Sequence, residues 1–270
     1  MTDITLHHTD QGNGAPALFW IHGFSSGLED WDAQVAHFSP RHRNIAVALR
    51  GHGASERGTR DMTIPQLAED CLAILREKKI DSVVVAGHSM GTRIALELAQ
   101  QAPEIVKGLI LVDGSNTALA GGATAIEAFD KAVLERGYPA FARGLFEAMF
   151  FDDKWSELSK QLVDRALSVP VTTAHALYRN MVRWDGDVAD AAMAAVRVPV
   201  LVIQSTTRGA ENVRRTLKQG ETGSYEALVL KHIPSAEVVA LPGLGHFVSY
   251  EAPREVNAAI DAFLDGENLR

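Results

Sequence analysis

The sequence predicts an α/β protein: a mainly parallel β-sheet flanked by helices and interrupted by a helical insertion. Three observations predict it. Short runs rich in Val, Ile and Leu recur along the 270 residues and end in glycine or polar turns. Continuous apolar runs of this kind suit strands buried on both faces. Helical patterns alternate with them, which is the signature of βαβ units. Between Gly114 and Arg197 the alternation stops and only helical patterns remain. The expected division is therefore a core of residues 1–113 and 197–270 with an inserted helical cap over 114–196.

Taken in order, the strand-like runs are "ALFWIHG" to Gly23, "NIAVALRGHG" to Gly53, "SVVVAGHS" to Ser89 and "VKGLILVDGS" to Ser115. After the insertion come "VPVLVIQST" and "AEVVALPGLGH", the latter ending at His246. Thr63 and Gln66 have the spacing of a capping box before "LAEDCLAILREKK". Pro253 stands at the start of a final helix that sets Val256, Ile260 and Phe263 on one face. The insertion reads as helices in "TAIEAFDKAVLER", "PAFARGLFEAMFF", "WSELSKQLVDRAL", "TTAHALYRNMV" and "VADAAMAAV". It leaves the sheet at a strand's carboxyl end, the side on which open α/β sheets bind ligands.

Composition narrows the function. The chain is 46% hydrophobic and 22% charged, as ordinary globular domains are. A formal charge of −8 and the lack of any Lys/Arg run argue against nucleic acid as a partner. No apolar stretch approaches the ~20 residues of a membrane span. "MTDITLHHTD" has no basic or apolar leader, so a cytoplasmic location is expected. Cys71, the lone cysteine, falls in an apolar helical pattern and reads as core. No metal-ligand cluster or phosphate-binding glycine loop is evident, so no cofactor is expected. A small-molecule substrate is.

Gly87-His88-Ser89-Met90-Gly91 lies between a strand and a helix pattern. A tight turn there exposes the serine oxygen at a helix N-terminus, where backbone N–H groups face an anion. Ser89 is the candidate nucleophile, and the N–H of Met90 a candidate oxyanion donor. Phe24, after the strand ending at His22-Gly23, offers the second. His22 reads as a loop brace, and His88 as a structural or pocket-wall residue. His246 follows the last strand-like run and can exchange a proton near neutrality, so it is the candidate base.

Together His22-Gly23-Phe24, "LRGHGAS" at 49–55, Gly87 to Gly91 and Gly245-His246-Phe247 resemble the α/β-hydrolase fold family. The resemblance spans nearly the whole chain except the insertion, which looks like the family's variable cap. It implies Ser89 as nucleophile, His246 as base, and the Phe24 and Met90 amides as oxyanion hole. Ala48 departs from the aspartate common before the glycine-rich turn.

The third member of a triad departs more. The family usually carries its acid after the strand that follows the cap. Here Thr206-Thr207-Arg208-Gly209-Ala210 follows that strand, and the first carboxylate is Glu211. Some members carry the acid one strand earlier, which corresponds to Asp113. Asp113 is the expected acid, orienting His246; Asp113-Gly114 is also an ordinary turn pair, and Glu211 is the alternative. The implied chemistry is acyl transfer to water: cleavage of a small ester, lactone, thioester or activated amide through an acyl-enzyme. A cofactor-free lyase, or a receptor-like module with residual hydrolysis, is the alternative. In the insertion, Phe146, Met149, Phe150, Trp155, Tyr178, Met181 and Trp184 are candidate pocket residues or cap core. Arg143, Arg179 and Arg183 could meet a substrate carboxylate or simply line a solvated face.

Overall fold

A computed structural model describes residues 4–118, 122–209 and 213–266. Its main sheet has seven strands: β1 (His8–Gln11), β2 (Ala17–Ile21), β3 (Asn44–Val47), β4 (Val83–His88), β5 (Val106–Val112), β6 (Val200–Gln204) and β9 (Glu237–Ala240). They run in the order β1-β3-β2-β4-β5-β6-β9. β1 pairs antiparallel with β3, and every other neighbour is parallel. β7 (Thr206–Arg208) and β8 (Arg214–Thr216) form a separate antiparallel hairpin.

The central strands β2, β4, β5 and β6 are mostly apolar because both of their faces are covered. Phe19, Ile21, Val83, Val85, Leu109 and Leu111 face a core shared with α2 (Ile64–Glu77) and α3 (Gly91–Gln101). Leu18, Trp20, Val84, Ala86, Ile110 and Val112 face a second core, shared with α1 (Asp32–Phe38) and α11 (Pro253–Asp265). Successive residues take opposite faces, as the strand period demands. Each buried Val, Leu or Ile contributes about 1.5–3 kcal/mol. Half of the expected capping box of α2 is present: the Thr63 hydroxyl accepts the Gln66 N–H at 3.3 Å, while the Gln66 side chain bonds to Asp70 and Arg60 instead.

Between β5 and β6 lie α4 (Gly122–Arg136), α5 (Tyr138–Glu147), α6 (Ser156–Ser168), α7 (Val171–Asp187) and α8 (Ala189–Ala194). All five fall on segments that the sequence reads as helical. This segment packs on the α2–α3 side: α7 contacts α2, and α8 contacts α3. α9 (Ser224–His232) precedes β9, and α10 (Val248–Glu251) follows the loop that carries His246. No described helix is long and apolar enough to cross a membrane. Absent from the sequence reading are the edge strand β1, the β7–β8 hairpin and the helices α1, α9 and α10.

Candidate active site

Three parallel strands deliver the candidate residues to one end of the sheet. β4 ends in the turn at Ser89, β5 ends at Asp113, and the loop after β9 carries His246. Ser89 has φ 53° and Asp113 has φ 40°, both in the left-handed region that non-glycine residues seldom enter. The Ser89 N–H still donates to Val112 O (3.0 Å), and the Asp113 N–H to Ile203 O (2.8 Å). The strained residues are thus held by the neighbouring strands.

Close approach explains the flanking glycines. A Cβ on Gly87 would lie 2.2 Å from Gly91 O, and one on Gly91 would lie 2.4 Å from Ile21 O. Strand, turn and helix touch backbone to backbone there. A Cβ on Gly23 would stand 3.2 Å from the Ser89 Cβ, so the loop after β2 passes directly beside the serine. The Phe24 and Met90 N–H groups donate to no other described residue. Met90 immediately precedes α3, where the helix dipole favours negative charge.

The three candidate side chains form a continuous chain. His246 Nε2 lies 2.9 Å from Ser89 Oγ, and Nδ1 lies 2.6 Å from Asp113 Oδ2. Asp113 and His246 are buried. The Asp113 carboxylate can only accept, which makes Nδ1 the protonated nitrogen and leaves Nε2 to accept from the serine hydroxyl. Oδ1 of Asp113 also accepts the N–H groups of Ser205 (2.8 Å) and Thr206 (2.7 Å) and the Ser205 hydroxyl (3.0 Å). Oδ2 accepts the Thr206 hydroxyl at 2.6 Å. The post-insertion strand end, which carries no carboxylate before Glu211, supplies hydrogen-bond donors to the carboxylate of the strand beside it. Glu211, the other candidate, lies outside the described residues.

Burial, and then the charges of Arg214, Arg208 and Arg93, hold the His246 imidazole well below its usual range. The imidazole is therefore neutral near neutral pH. Arg214 Nη1 lies 2.9 Å from His246 Nδ1 and 3.3 Å from Asp113 Oδ2, and it donates to the Thr206 hydroxyl at 2.6 Å. Burial presses its guanidinium down to about 9.

The other histidines are structural. Leu49 N–H donates to His22 Nε2 at 3.0 Å, and His22 Nδ1 donates to Gly23 O at 2.8 Å. That ring joins the β2 and β3 loops, as a loop brace should. His88 Nε2 donates to the His246 carbonyl at 2.9 Å, and the two rings lie 4.7 Å apart.

The inserted helices complete the surroundings. The His246 N–H donates to Met149 O at 2.9 Å. Tyr178 meets the edge of the Phe24 ring at 5.8 Å between centroids. Arg93 of α3 donates to Ser89 O (3.0 Å), to Ser115 O (2.5 Å) and to both oxygens of Asp185 on α7 (2.7 Å each). Phe146, Met149, Met181 and Trp184 are buried in the larger core, so the packing reading describes them better. The Trp184 indole donates to Glu97 at 2.6 Å. Arg143 stands beside Glu147 at 3.6 Å on an exposed face, and Arg179 pairs with Asp130. Arg179 and Arg183 line an outward-facing cavity between α4 and α7. The arginines at the site are instead Arg93 and Arg214, which sequence reasoning missed because their partners are remote in the chain.

Comparison with known proteins agrees with this fold. The chain is 28% identical over 261 residues to the dihydrolipoyllysine-residue acetyltransferase component of the acetoin cleaving system of Pseudomonas putida. That match covers 94% of this chain and 64% of the relative, so the chain spans about two thirds of that protein's length. It is 25% identical to the (E)-2-((N-methylformamido)methylene)succinate hydrolase of Acinetobacter baylyi, covering 97% of this chain and 94% of the relative. The fold is similar to the crystal structure of the enol-lactonase from Burkholderia xenovorans, with a TM-score of 0.77 and 21% identity over 97% of each chain. The model of the alpha/beta hydrolase family matches residues 18–259, from β2 into α11. With its sheet order and the strand-end placement of Ser89, Asp113 and His246, the chain belongs to the α/β-hydrolase family.

Proposed function

We propose that the chain is a serine hydrolase that cleaves a small carboxylic ester, lactone, thioester or activated amide. The observation that carries the reading is the unbroken path from Asp113 through His246 to Ser89, with contacts of 2.6 and 2.9 Å. In the first step Ser89 Oγ attacks the substrate carbonyl and its proton passes to His246 Nε2. Asp113 holds Nδ1–H and offsets the imidazolium charge. The carbonyl oxygen becomes an oxyanion that accepts from the N–H groups of Phe24 and Met90. Losing one such donor costs about 3 kcal/mol in comparable sites. Collapse expels the leaving group, which takes the proton from Nε2. Water, deprotonated by the same nitrogen, then hydrolyses the acyl-enzyme.

The helices between β5 and β6 serve as a cap in this reading, with Tyr178 and Phe24 on the substrate side. The A. baylyi relative, named as a hydrolase of a substituted succinate, supports a small substrate. The test is active-site labelling. A fluorophosphonate should add once to the wild type, on Ser89, and not to Ser89→Ala, which should also lose turnover of 4-nitrophenyl butyrate. Labelling elsewhere, or turnover surviving in Ser89→Ala, would refute the assignment.

A further inference from the structure

Arg93 is buried in the first turn of α3, and its acceptors belong to three separate parts of the chain. Nε and Nη2 donate to the two oxygens of Asp185 on α7 at 2.7 Å each. Nη1 donates to Ser89 O at 3.0 Å, and Nη2 also donates to Ser115 O at 2.5 Å. Asp185, itself buried, accepts the Thr117 N–H and hydroxyl at 2.6 Å each. One guanidinium–carboxylate pair thus joins the Ser89 turn, the chain that leaves β5 for the insertion, and α7.

Each connection bears on the site. Ser89 stands at φ 53°, and a strained residue persists where its surroundings fix it. β5 holds its N–H through Val112 O, and Arg93 holds its carbonyl. The Thr92 hydroxyl also donates to Ser89 O, at 2.8 Å, but Thr92 belongs to the same turn and moves with it. Arg93 ties that turn to groups outside it. Ser115 lies two residues beyond Asp113, so the same side chain spans the ends of β4 and β5. On α7, Tyr178 lies about two turns before Asp185 and so on the same face. Its ring meets the edge of Phe24 at 5.8 Å and stacks on Phe129 at 4.1 Å. Trp184, next to Asp185, adds a second tie to α3 through Glu97 at 2.6 Å.

Stability alone does not account for a buried pair. Desolvation offsets much of the attraction between the charges, and apolar residues of similar volume often serve as well or better. What apolar residues lack is direction. The planar fork of Arg93 holds Asp185, Ser89 O and Ser115 O at fixed angles.

We propose that Arg93 and Asp185 are a positioning pair for the reaction at Ser89: they register α7 and the start of the insertion on the nucleophile turn, and so hold Ser89 in its strained conformation and Tyr178 against Phe24. The proposal rests on the serine-hydrolase reading above and adds two residues that act through Ser89 without touching the reacting atoms.

The test separates position from stability. Arg93→Met/Asp185→Leu removes both charges and keeps apolar side chains of similar size. Thermal melts follow the fold; fluorophosphonate labelling, kcat and KM for 4-nitrophenyl butyrate follow the site. Each single variant leaves one buried charge unpaired and should melt well below the wild type. The double variant should regain most of that loss. Its labelling rate and kcat should nonetheless stay ~10- to 100-fold below the wild type, with the loss falling on kcat rather than KM. A double variant that recovers rate together with stability would overturn the proposal. Arg93→Lys serves if the double variant does not fold. It keeps the charge without the planar fork, and its kcat should fall by ~3- to 10-fold; a wild-type kcat there overturns the proposal equally. In either case a wild type that labels at Ser89 leaves the hydrolase reading standing. Absence of both labelling and turnover in the wild type would sink that reading, and the positioning role with it.

Discussion

Replacing Asp113 by asparagine changes one oxygen to NH₂ and almost no volume, yet the surroundings dictate which way the amide must point. Oδ1 receives two backbone N–H groups, from Ser205 and Thr206, and these cannot turn away. An NH₂ placed there would set donor against donor. The amide nitrogen therefore takes the Oδ2 position, 2.6 Å from His246 Nδ1. It donates to Nδ1, which must then be the unprotonated nitrogen. The proton moves to Nε2, which faces Ser89 Oγ at 2.9 Å and can no longer accept from it. The base is lost while the fold is kept. Comparable wrong-tautomer variants of serine hydrolases lose about 10⁴-fold in kcat, or roughly 5.5 kcal/mol at about 1.4 kcal/mol per decade. The assay is the second-order rate of fluorophosphonate labelling, followed by intact mass, beside kcat/KM for 4-nitrophenyl butyrate. Circular dichroism and a thermal melt should match the wild type. A folded Asp113→Asn protein that labels within about tenfold of the wild type would refute the argument and return Glu211 as the acid.

The lowered pKa of His246 has a signed consequence. The neutral ring is the active form, so kcat/KM should stay level as pH falls through the ordinary imidazole value of ~6.5 and decline only below it. A limb at or above that value would contradict the burial and the arginine charges placed around the ring. Removing the nearest charge with Arg214→Gln should move the limb upward. Asp30 is buried under Arg165 of α6 (2.5 Å) and Tyr250 (3.2 Å), and burial raises its carboxyl to about 6. Its folded-state value exceeds the ordinary one, so its contribution is full below pH ~4 and lost as pH rises towards 6, on the order of 3 kcal/mol. The difference in Tm between pH 4 and pH 8 should narrow in Asp30→Asn; an unchanged difference would be evidence against it. Gly91→Ala places a Cβ 2.4 Å from Ile21 O and should lower stability by several kcal/mol or spoil labelling of Ser89. Gly144→Ala, within α5 with nothing near the new methyl, should raise stability by up to ~1 kcal/mol in a denaturant titration.

What the sequence reveals about this protein depends on how local the controlling physics is. The β4 run and the Gly87–Gly91 turn are legible because a strand covered on both faces must be apolar throughout, and because backbone contact there admits only glycine. Thr63 shows as a cap because its partner is Gln66, three residues on. β1 escapes notice because it is a short edge strand whose residues are partly exposed and polar. The β7–β8 hairpin escapes because each strand is three residues long and polar, and its inward face is defined only by Asp113, far earlier in the chain. Arg93 reaches Asp185 across 92 positions, and nothing in the spacing of the chain marks either as a partner.

The proposed acid, Asp113, shows where local reading stops and geometry takes over. The residues themselves also allow Asp113 to be an ordinary turn residue, and only the family resemblance makes it the expected acid over Glu211, while the segment after β6 looks deficient. In three dimensions β5 and β6 are parallel neighbours, with Val112 paired to Ile203, so their ends lie side by side. A carboxylate at either end can face the same imidazole nitrogen. The neighbouring end must then offer donors, because a buried carboxylate with unfilled acceptor sites is costly. Ser205 and Thr206 offer two N–H groups and two hydroxyls to Asp113. A segment that lacks the acid and carries two small hydroxyl residues at that strand end is therefore informative in itself. The same exchange frees the chain beyond Thr206 from presenting an acid, and Arg208 and Arg214 stand on the hairpin that follows. With the carboxylate one strand back, the same imidazole nitrogen still faces a carboxylate, and Arg214 of the hairpin stands beside both groups.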